Sequence, residues 1–328
     1  MKKLIIQIPC LNEADTLPAT LRDLPRHIPG IETIDVLVID DGSTDDTVKV
    51  AREAGVPHII SLRNRRGLAT AFTTGIDFAL KLGADFIVNT DGDNQYAGDD
   101  IATLVAPLVS GEADVVIGDR NVETLQHLSW SRKRLQHLGS WVVRQVSNTR
   151  VPDTTSGFRA YTREAALRMN IVSDFTYTLE SIIQAGKKRM AIAHVPIRSN
   201  PKTRPSRLFD NVWVYLKRSA STIVRIYTMY EPFKVFTTIG VVTFGAGLAI
   251  SFRFLYFYLN NDGAGHVQSL LLAAVLMIVG FQVLLIGLVA DVISANRKLL
   301  EDLLYRVRSM ELDRGTSPPR RHDAENSQ

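Results

Sequence analysis

The chain has 328 residues, 45% of them hydrophobic, and a formal charge of +4. That length accommodates one large domain or two ordinary ones around a sizeable core. No basic stripe interleaved with aromatics runs through it, which excludes nucleic acid as a partner; the single cysteine, Cys10, excludes an internal disulfide and suits a reducing cytosol.

The start, Met1-Lys2-Lys3-Leu4-Ile5-Ile6, imitates a secretory leader, but its apolar stretch breaks at Gln7 and Pro9. It is read instead as a strand over 4–8. Further β-branched runs predict strands at 36–39, 58–61, 86–89, 115–117 and 192–195. Between them, helix-start residues and apolar periodicity predict helices at 13–24, 45–54, 67–82 and 99–109. This alternation predicts an α/β fold, a mostly parallel sheet with helices on both faces and ligands at the carboxyl ends of the strands.

The segment 207–230 mixes apolar residues with Lys and Arg and reads as interfacial amphipathic helices, or as a surface helix of the soluble domain. Two apolar stretches follow, 233–259 and 268–290, each long enough to span a bilayer. Arg253, near the end of the first, is expected to snorkel outward or to pair within the helices. The connecting loop 260–267 holds no Lys or Arg. Lys217, Arg218, Arg225 and Lys234 precede the pair, and Arg297, Lys298, Arg306 and Arg308 follow it. The positive-inside rule then predicts a multi-pass protein of the cell membrane, with its catalytic domain in the cytoplasm and the short loop outside. The expected divisions are a catalytic domain at 1–206, juxtamembrane helices at 207–232, two spans within 233–290, a cytoplasmic helix at 291–314 and a disordered tail at 315–328.

Three acidic blocks follow predicted strands. Asp91-Gly92-Asp93-Asn94-Gln95 alternates carboxylates, natural ligands for a hard divalent cation, with Gln95 adding a neutral oxygen. By itself such a block is equally an acidic turn. In Asp40-Asp41-Gly42-Ser43-Thr44-Asp45-Asp46-Thr47, capping accounts for Ser43, Thr44 and Asp45, while Asp41 is placed to accept from a nucleobase N–H. Pro9-Cys10-Leu11-Asn12-Glu13 could form the opposite wall, although Asn12 is also a reasonable helix cap.

Taken together, these blocks resemble the family 2 glycosyltransferases of the GT-A, Rossmann-like fold, over roughly residues 3–210. Val116-Ile117-Gly118-Asp119-Arg120 and Asp153-Thr154-Thr155-Ser156-Gly157-Phe158-Arg159, with the paired spans, narrow the likeness to the dolichyl- or polyprenyl-phosphate branch. The resemblance implies an inverting transfer of a sugar from a UDP- or GDP-linked donor to a polyprenyl phosphate. The product would be a lipid-linked monosaccharide for cell-surface glycan assembly. It also implies nucleotide-sugar contacts at Pro9, Leu11, Glu13, Asp41, Asp91 and Gly92, and Mg2+ or Mn2+ on Asp91, Asp93 and Gln95. Asp93 and Asp153 would act in catalysis, Asp153 as a weak base or as an orienter of arginines. Arg120, Arg134 or Arg132, and Arg204 would bind the acceptor phosphate, whose geometry suits an arginine fork. Two departures stand out: Leu11 replaces an aromatic, and Arg204-Pro205-Ser206-Arg207 differs from the branch's usual pattern. Arg132-Lys133-Arg134 also reads as a solvated helix face. The lipid bilayer is a further partner, and the resemblance leaves room for a homo-oligomer.

Two rivals are weighed against this. A processive polysaccharide synthase would carry a Q-x-x-R-W block, which this sequence lacks. A non-catalytic membrane scaffold has no use for facing carboxylates, which destabilise a site that binds no cation.

Overall fold

The computed structural model describes residues 2–120, 130–173, 176–200, 212–260 and 267–316, without side chains at 130–138, 212–216, 219 and 313–316. Among these residues seven strands form one sheet: β1 (Lys3–Cys10), β2 (Thr33–Asp40), β3 (His58–Ser61), β4 (Phe86–Asn89), β5 (Val115–Asp119), β6 (Arg159–Thr162) and β7 (Ile192–Pro196). Their order is β3-β2-β1-β4-β6-β5-β7. Pairing is parallel between β1 and β2, β1 and β4, β2 and β3, and β5 and β7. Among the seven described strands only β6 runs antiparallel, wedged between β4 and β5. The mostly parallel sheet expected from the sequence is therefore present, with one reversed strand that the periodicity did not reveal.

Among the described residues ten helices accompany the sheet: α1 (Leu17–Asp23), α2 (Thr47–Glu53), α3 (Leu68–Lys81), α4 (Asp100–Val109), α5 (Trp130–Ser147), α6 (Arg163–Arg168), α7 (Tyr177–Lys187), α8 (Val212–Tyr230), α9 (Pro232–Leu259) and α10 (Val267–Thr316). Seven of the eight residues of β1 are buried, because helices cover both faces of the sheet. Leu4, Ile6, Ile8, Val38 and Val88 join Ile101, Leu104, Val105 and Leu108 of α4 in one apolar cluster. On α3, Phe72 stacks on Tyr177 at 3.9 Å and meets Tyr161 edge-on at 5.9 Å.

Helices expected to begin at residues 13 and 45 begin at Leu17 and Thr47. The intervening residues join two loops instead. Asn12 N donates to Ser43 Oγ (2.9 Å), Thr44 N donates to Asn12 Oδ1 (2.8 Å) and Glu13 N donates to Thr47 Oγ1 (2.8 Å). Asn12 thus caps no helix of its own, and it sits at φ 56, a left-handed conformation that Asn tolerates.

The chain divides into two units, Met1–Ile223 with Leu304–Gln328, and Val224–Leu303. The last turns of α10 belong to the first unit. There Tyr305 donates to Glu164 Oε2 (3.0 Å) beneath the Arg168 guanidinium, 4.7 Å from the ring centre. Arg308 donates to Met169 O and Asn170 Oδ1 (3.2 Å each) and lies 3.5 Å from Asp77 Oδ1.

In the second unit, α9 and the apolar length of α10 are each long and apolar enough to cross a membrane. They pack closely through glycines. A Cβ on Gly280 would lie 2.5 Å from Phe244 N, and one on Gly247 would lie 2.8 Å from Ala273 O. Arg253 is exposed, its guanidinium 5.5 Å from the Phe257 ring centre. The helix expected at 291–314 is continuous with the second apolar stretch inside α10. Most of the connecting loop, 261–266, and the tail from 317 lie outside the described residues.

Candidate active site

The carboxyl ends of β1, β2, β4 and β5 lie at one edge of the sheet, and antiparallel β6 brings its amino end to the same edge. Pro9 is inside β1, with Leu11 and Glu13 just beyond it; Asp41 follows β2, Asp91 follows β4 and Arg120 follows β5. The segment Asp153–Gly157 leads into β6. Topology alone therefore gathers the expected motifs.

Side chains tie them together. Gly92 O accepts from Thr16 Oγ1 (2.9 Å) and Thr20 Oγ1 (3.1 Å), and Thr16 also donates to Glu13 Oε2 (2.8 Å). A Cβ on Gly92 would meet Cys10 Sγ at 3.0 Å and Glu13 Cγ at 3.3 Å. Asp41 is buried and accepts from Arg66 N (2.7 Å) and Gly67 N (2.8 Å) at the entry to α3. Its two carboxylate oxygens thus fix the 62–67 loop. Gly42 permits that fit, since a Cβ there would stand 2.9 Å from Arg65 N.

Asp91 carries the most displaced carboxyl at this edge. Burial first, then the neighbouring Asp93 and Glu13 charges, raise its pKa from 3.8 to about 7, against the lowering influence of Arg120. Asp93 is braced by Gln95, whose Nε2 donates to Asp93 Oδ2 (2.7 Å) and whose backbone N donates to Oδ1 (3.1 Å). Gln95, expected as a third oxygen ligand, here turns an N–H toward Asp93. Among the described residues no group of three or more His, Cys, Asp and Glu side chains is arranged to hold a metal ion. Two crowded carboxylates, one of them resisting ionisation, nonetheless suit a hard cation that completes its shell with phosphate oxygens.

Arg120 and Asp153 form the second half. Arg120 Nε donates to Asp153 Oδ2 (2.7 Å), and Nη2 donates to Asp153 Oδ1 (3.1 Å) and Thr155 Oγ1 (2.8 Å). Asp153, 1% exposed, also accepts from Thr155 N, Thr155 Oγ1 and Ser156 N. Burial pushes its pKa up, but the Arg120 charge and these hydrogen bonds outweigh that and hold it below the usual range. Burial likewise opposes the Arg120 charge, yet Tyr96, Asp153 and Asp91 keep its pKa above normal.

Tyr96, whose only sequence signal was its place directly after Gln95, links the halves. Gly157 N donates to its hydroxyl (3.1 Å), its ring stacks on Phe158, and burial raises its pKa to about 12. Gly157 backs Asp91 closely: a Cβ there would lie 2.9 Å from Tyr177 Oη and 3.3 Å from Asp91 Oδ1. Beneath, Asn89 Nδ2 donates to Gly157 O (2.9 Å) and Tyr177 Oη (2.8 Å), and Gln7 Nε2 donates to Asn89 Oδ1 (2.9 Å). Arg159, fully buried, donates to Thr154 O, Ser156 O, Thr178 O and Ser181 Oγ, fastening the 153–157 segment to α7. Arg132 and Arg134 fall in α5, with side chains outside those described; Arg204 lies outside the described residues altogether. The chain leading to it is stitched to the acidic loop, with Asn200 N donating to Gln95 O (2.9 Å) and Asn200 Nδ2 to Asn94 O (3.0 Å).

Residues 5–168 match the Glycosyl transferase family 2, and residues 231–295 match the GtrB C-terminal hairpin. The chain is a glycosyltransferase, and it belongs to glycosyl transferase family 2. Polyprenol monophosphomannose synthase of Mycolicibacterium smegmatis is 26% identical over 207 residues, covering 60% of this chain and 77% of that one. UDP-N-acetylglucosamine--dolichyl-phosphate N-acetylglucosaminyltransferase of Methanococcus voltae is 26% identical over 223 residues, covering 60% and 86%. Among solved structures, glucosyl-3-phosphoglycerate synthase of Mycobacterium tuberculosis, in complex with Mn2+, UDP-glucose and phosphoglyceric acid, superposes with a TM-score of 0.54. At 19% identity, covering 69% of this chain and 79% of that one, it establishes the GT-A type of fold.

Proposed function

We propose that this protein transfers a sugar from a nucleotide-sugar to a polyprenyl phosphate at a membrane surface. The observation that carries the reading is the meeting, at one sheet edge, of the crowded Asp91–Asp93 pair and the Arg120 guanidinium held by Asp153. One half suits a nucleoside diphosphate with its cation, and the other suits a second phosphate. The two named relatives act on lipid phosphates, and the hairpin match and the two long apolar helices favour a lipid acceptor.

Asp91 and Asp93 would hold Mg2+ or Mn2+, with Gln95 bracing Asp93. When bound, the ion supplies positive charge against the diphosphate that leaves. Glu13, Gly92, Pro9 and Leu11 line the donor side, and Asp41 shapes it by holding the 62–67 loop. Arg120 receives the acceptor phosphate, together with Arg204 and Arg132 or Arg134. A phosphate monoester, with a second pKa of about 6, is already ionised at neutral pH, so its oxygen attacks the anomeric carbon without a strong base. Asp153, low in pKa and accepting five donors, fits the orienting role better than the base role. Direct displacement in one step inverts the anomeric carbon. Catalysis then rests on positioning and charge. The excess of Lys and Arg flanking the two apolar stretches favours a cytoplasmic catalytic unit.

The test is release of nucleoside diphosphate from a panel of UDP- and GDP-sugars, with and without polyprenyl phosphate, by wild type and Arg204→Ala. Release that requires the lipid phosphate, with acceptor affinity roughly ten- to a hundredfold weaker in the variant, is expected for a lost charge-assisted contact. Release that ignores the lipid, or that needs a sugar acceptor, overturns the reading.

A further inference from the structure

Trp141 is 52% exposed on α5, a helix whose buried stripe is Ser140, Val143 and Ser147. That helix carries Arg132, Lys133, Arg134 and Arg144 and no acidic residue. Helical spacing puts position 134 two turns before Trp141 on the same stripe. An indole presented outward on a wholly cationic helix matches the chemistry of a bilayer surface. Its ring favours the headgroup level, and the cations favour anionic lipid. A second copy of the same helix is the poorer occupant, since a helix that carries cations and no acidic residue offers its own copy no opposite charge. On its inner side α5 touches the acceptor half directly, with Ser140 Oγ 3.1 Å from Thr154 Oγ1, the residue after Asp153.

We propose that α5 is a membrane-contacting helix: its Trp141 face lies on anionic headgroups, and the Ser140–Thr154 contact holds the Arg120–Asp153 pair close to the level of lipid phosphates. The proposal rests on the polyprenyl-phosphate reading for its purpose but not for its test.

The full chain carrying Trp130→Phe and Trp213→Phe retains Trp141 as its sole tryptophan. It is placed in bilayer discs made with lipids brominated near the headgroup, and compared with discs of unbrominated lipid. Loss of Trp141 emission in the brominated discs, deeper with phosphatidylglycerol than with phosphatidylcholine alone, is expected. Emission untouched by bromine overturns the proposal, whether the indole is in water or shielded by another copy. In the same discs, Arg144→Gln should raise the apparent KM for polyprenyl phosphate about fivefold, as removal of one cation from an anionic surface predicts. An unchanged KM counts against the proposal. Quenching without lipid-phosphate transfer would leave the surface standing and remove the proposed function; transfer without quenching would do the reverse.

Discussion

Asp91→Asn separates the demands of folding from those of chemistry at one atom pair. In the cation-free protein the Asp91 carboxyl is raised from 3.8 to about 7, by burial and by Asp93 and Glu13. A group raised in this way holds its proton more tightly when folded. Its stability contribution is full below the unfolded pKa and is lost as pH climbs through about 7. The displacement corresponds to ~4 kcal/mol at ~1.4 kcal/mol per tenfold. Asp91 is only partly buried, so solvent screening halves this to about 2 kcal/mol. Asparagine copies the neutral form. In EDTA at about pH 9 the variant should therefore melt roughly 4–8 °C above wild type, and at about pH 3, below the unfolded pKa, the two should nearly coincide. Adding Mg2+ or Mn2+ should raise the wild-type melting temperature and not that of the variant, whose sugar transfer should be lost. Thermal unfolding in detergent, run beside nucleoside diphosphate release, measures both. Equal melting temperatures at high pH, or cation-dependent transfer by the variant, would refute the reasoning.

Asp153→Asn should destabilise the catalytic unit by ~3–5 kcal/mol, because it leaves Arg120 without its buried partner. Since Asp153 is depressed, its contribution is present above the ordinary carboxylate pKa and lost as pH falls through the folded value; acid unfolding curves should show the variant insensitive to this loss. Gly157→Ala places a methyl against Tyr177 Oη and Asp91, with an expected ~1–3 kcal/mol of overpacking and a fall in kcat. Tyr177→Phe in the same chain should recover part of the stability, measured by denaturant unfolding, because it removes the clashing oxygen.

Strands at 58–61 and 86–89 were legible to the residue, because short apolar runs bounded by turn residues have few other uses. The reversed strand β6 was not. Its four residues, Arg159–Thr162, include a buried arginine that donates to Thr178 and Ser181 of α7 and a threonine that caps α6, so local periodicity held no trace of it. Helices α1 and α2 began late for a related reason: the Asn12, Glu13, Ser43 and Thr44 groups that look like caps bond across two loops. The acidic blocks were visible as motifs, but the division of labour within them was not. That Asp41 grips a backbone loop, and that Asp153 saturates itself with donors, depends on residues 25 and 33 positions away. Tyr96 was inconspicuous in sequence because the hydrogen bond it accepts from Gly157 N and its stacking on Phe158 join distant segments, and Gly157 stood inside a recognised block without its close approach to Asp91 being visible.

The catalytic unit is not a contiguous stretch of chain. Its last piece, beginning at Leu304, is reached only after both long apolar helices have been made. A ribosome will have released the whole sheet before Tyr305 and Arg308 exist to meet Glu164, Arg168, Met169 and Asp77. Until then Asp77, whose carboxyl burial raises, lacks the Arg308 charge that opposes that rise. A fragment trimmed before the apolar helices would stop at that same stage, without the Tyr305 and Arg308 contacts unless the final helix were supplied or grafted back.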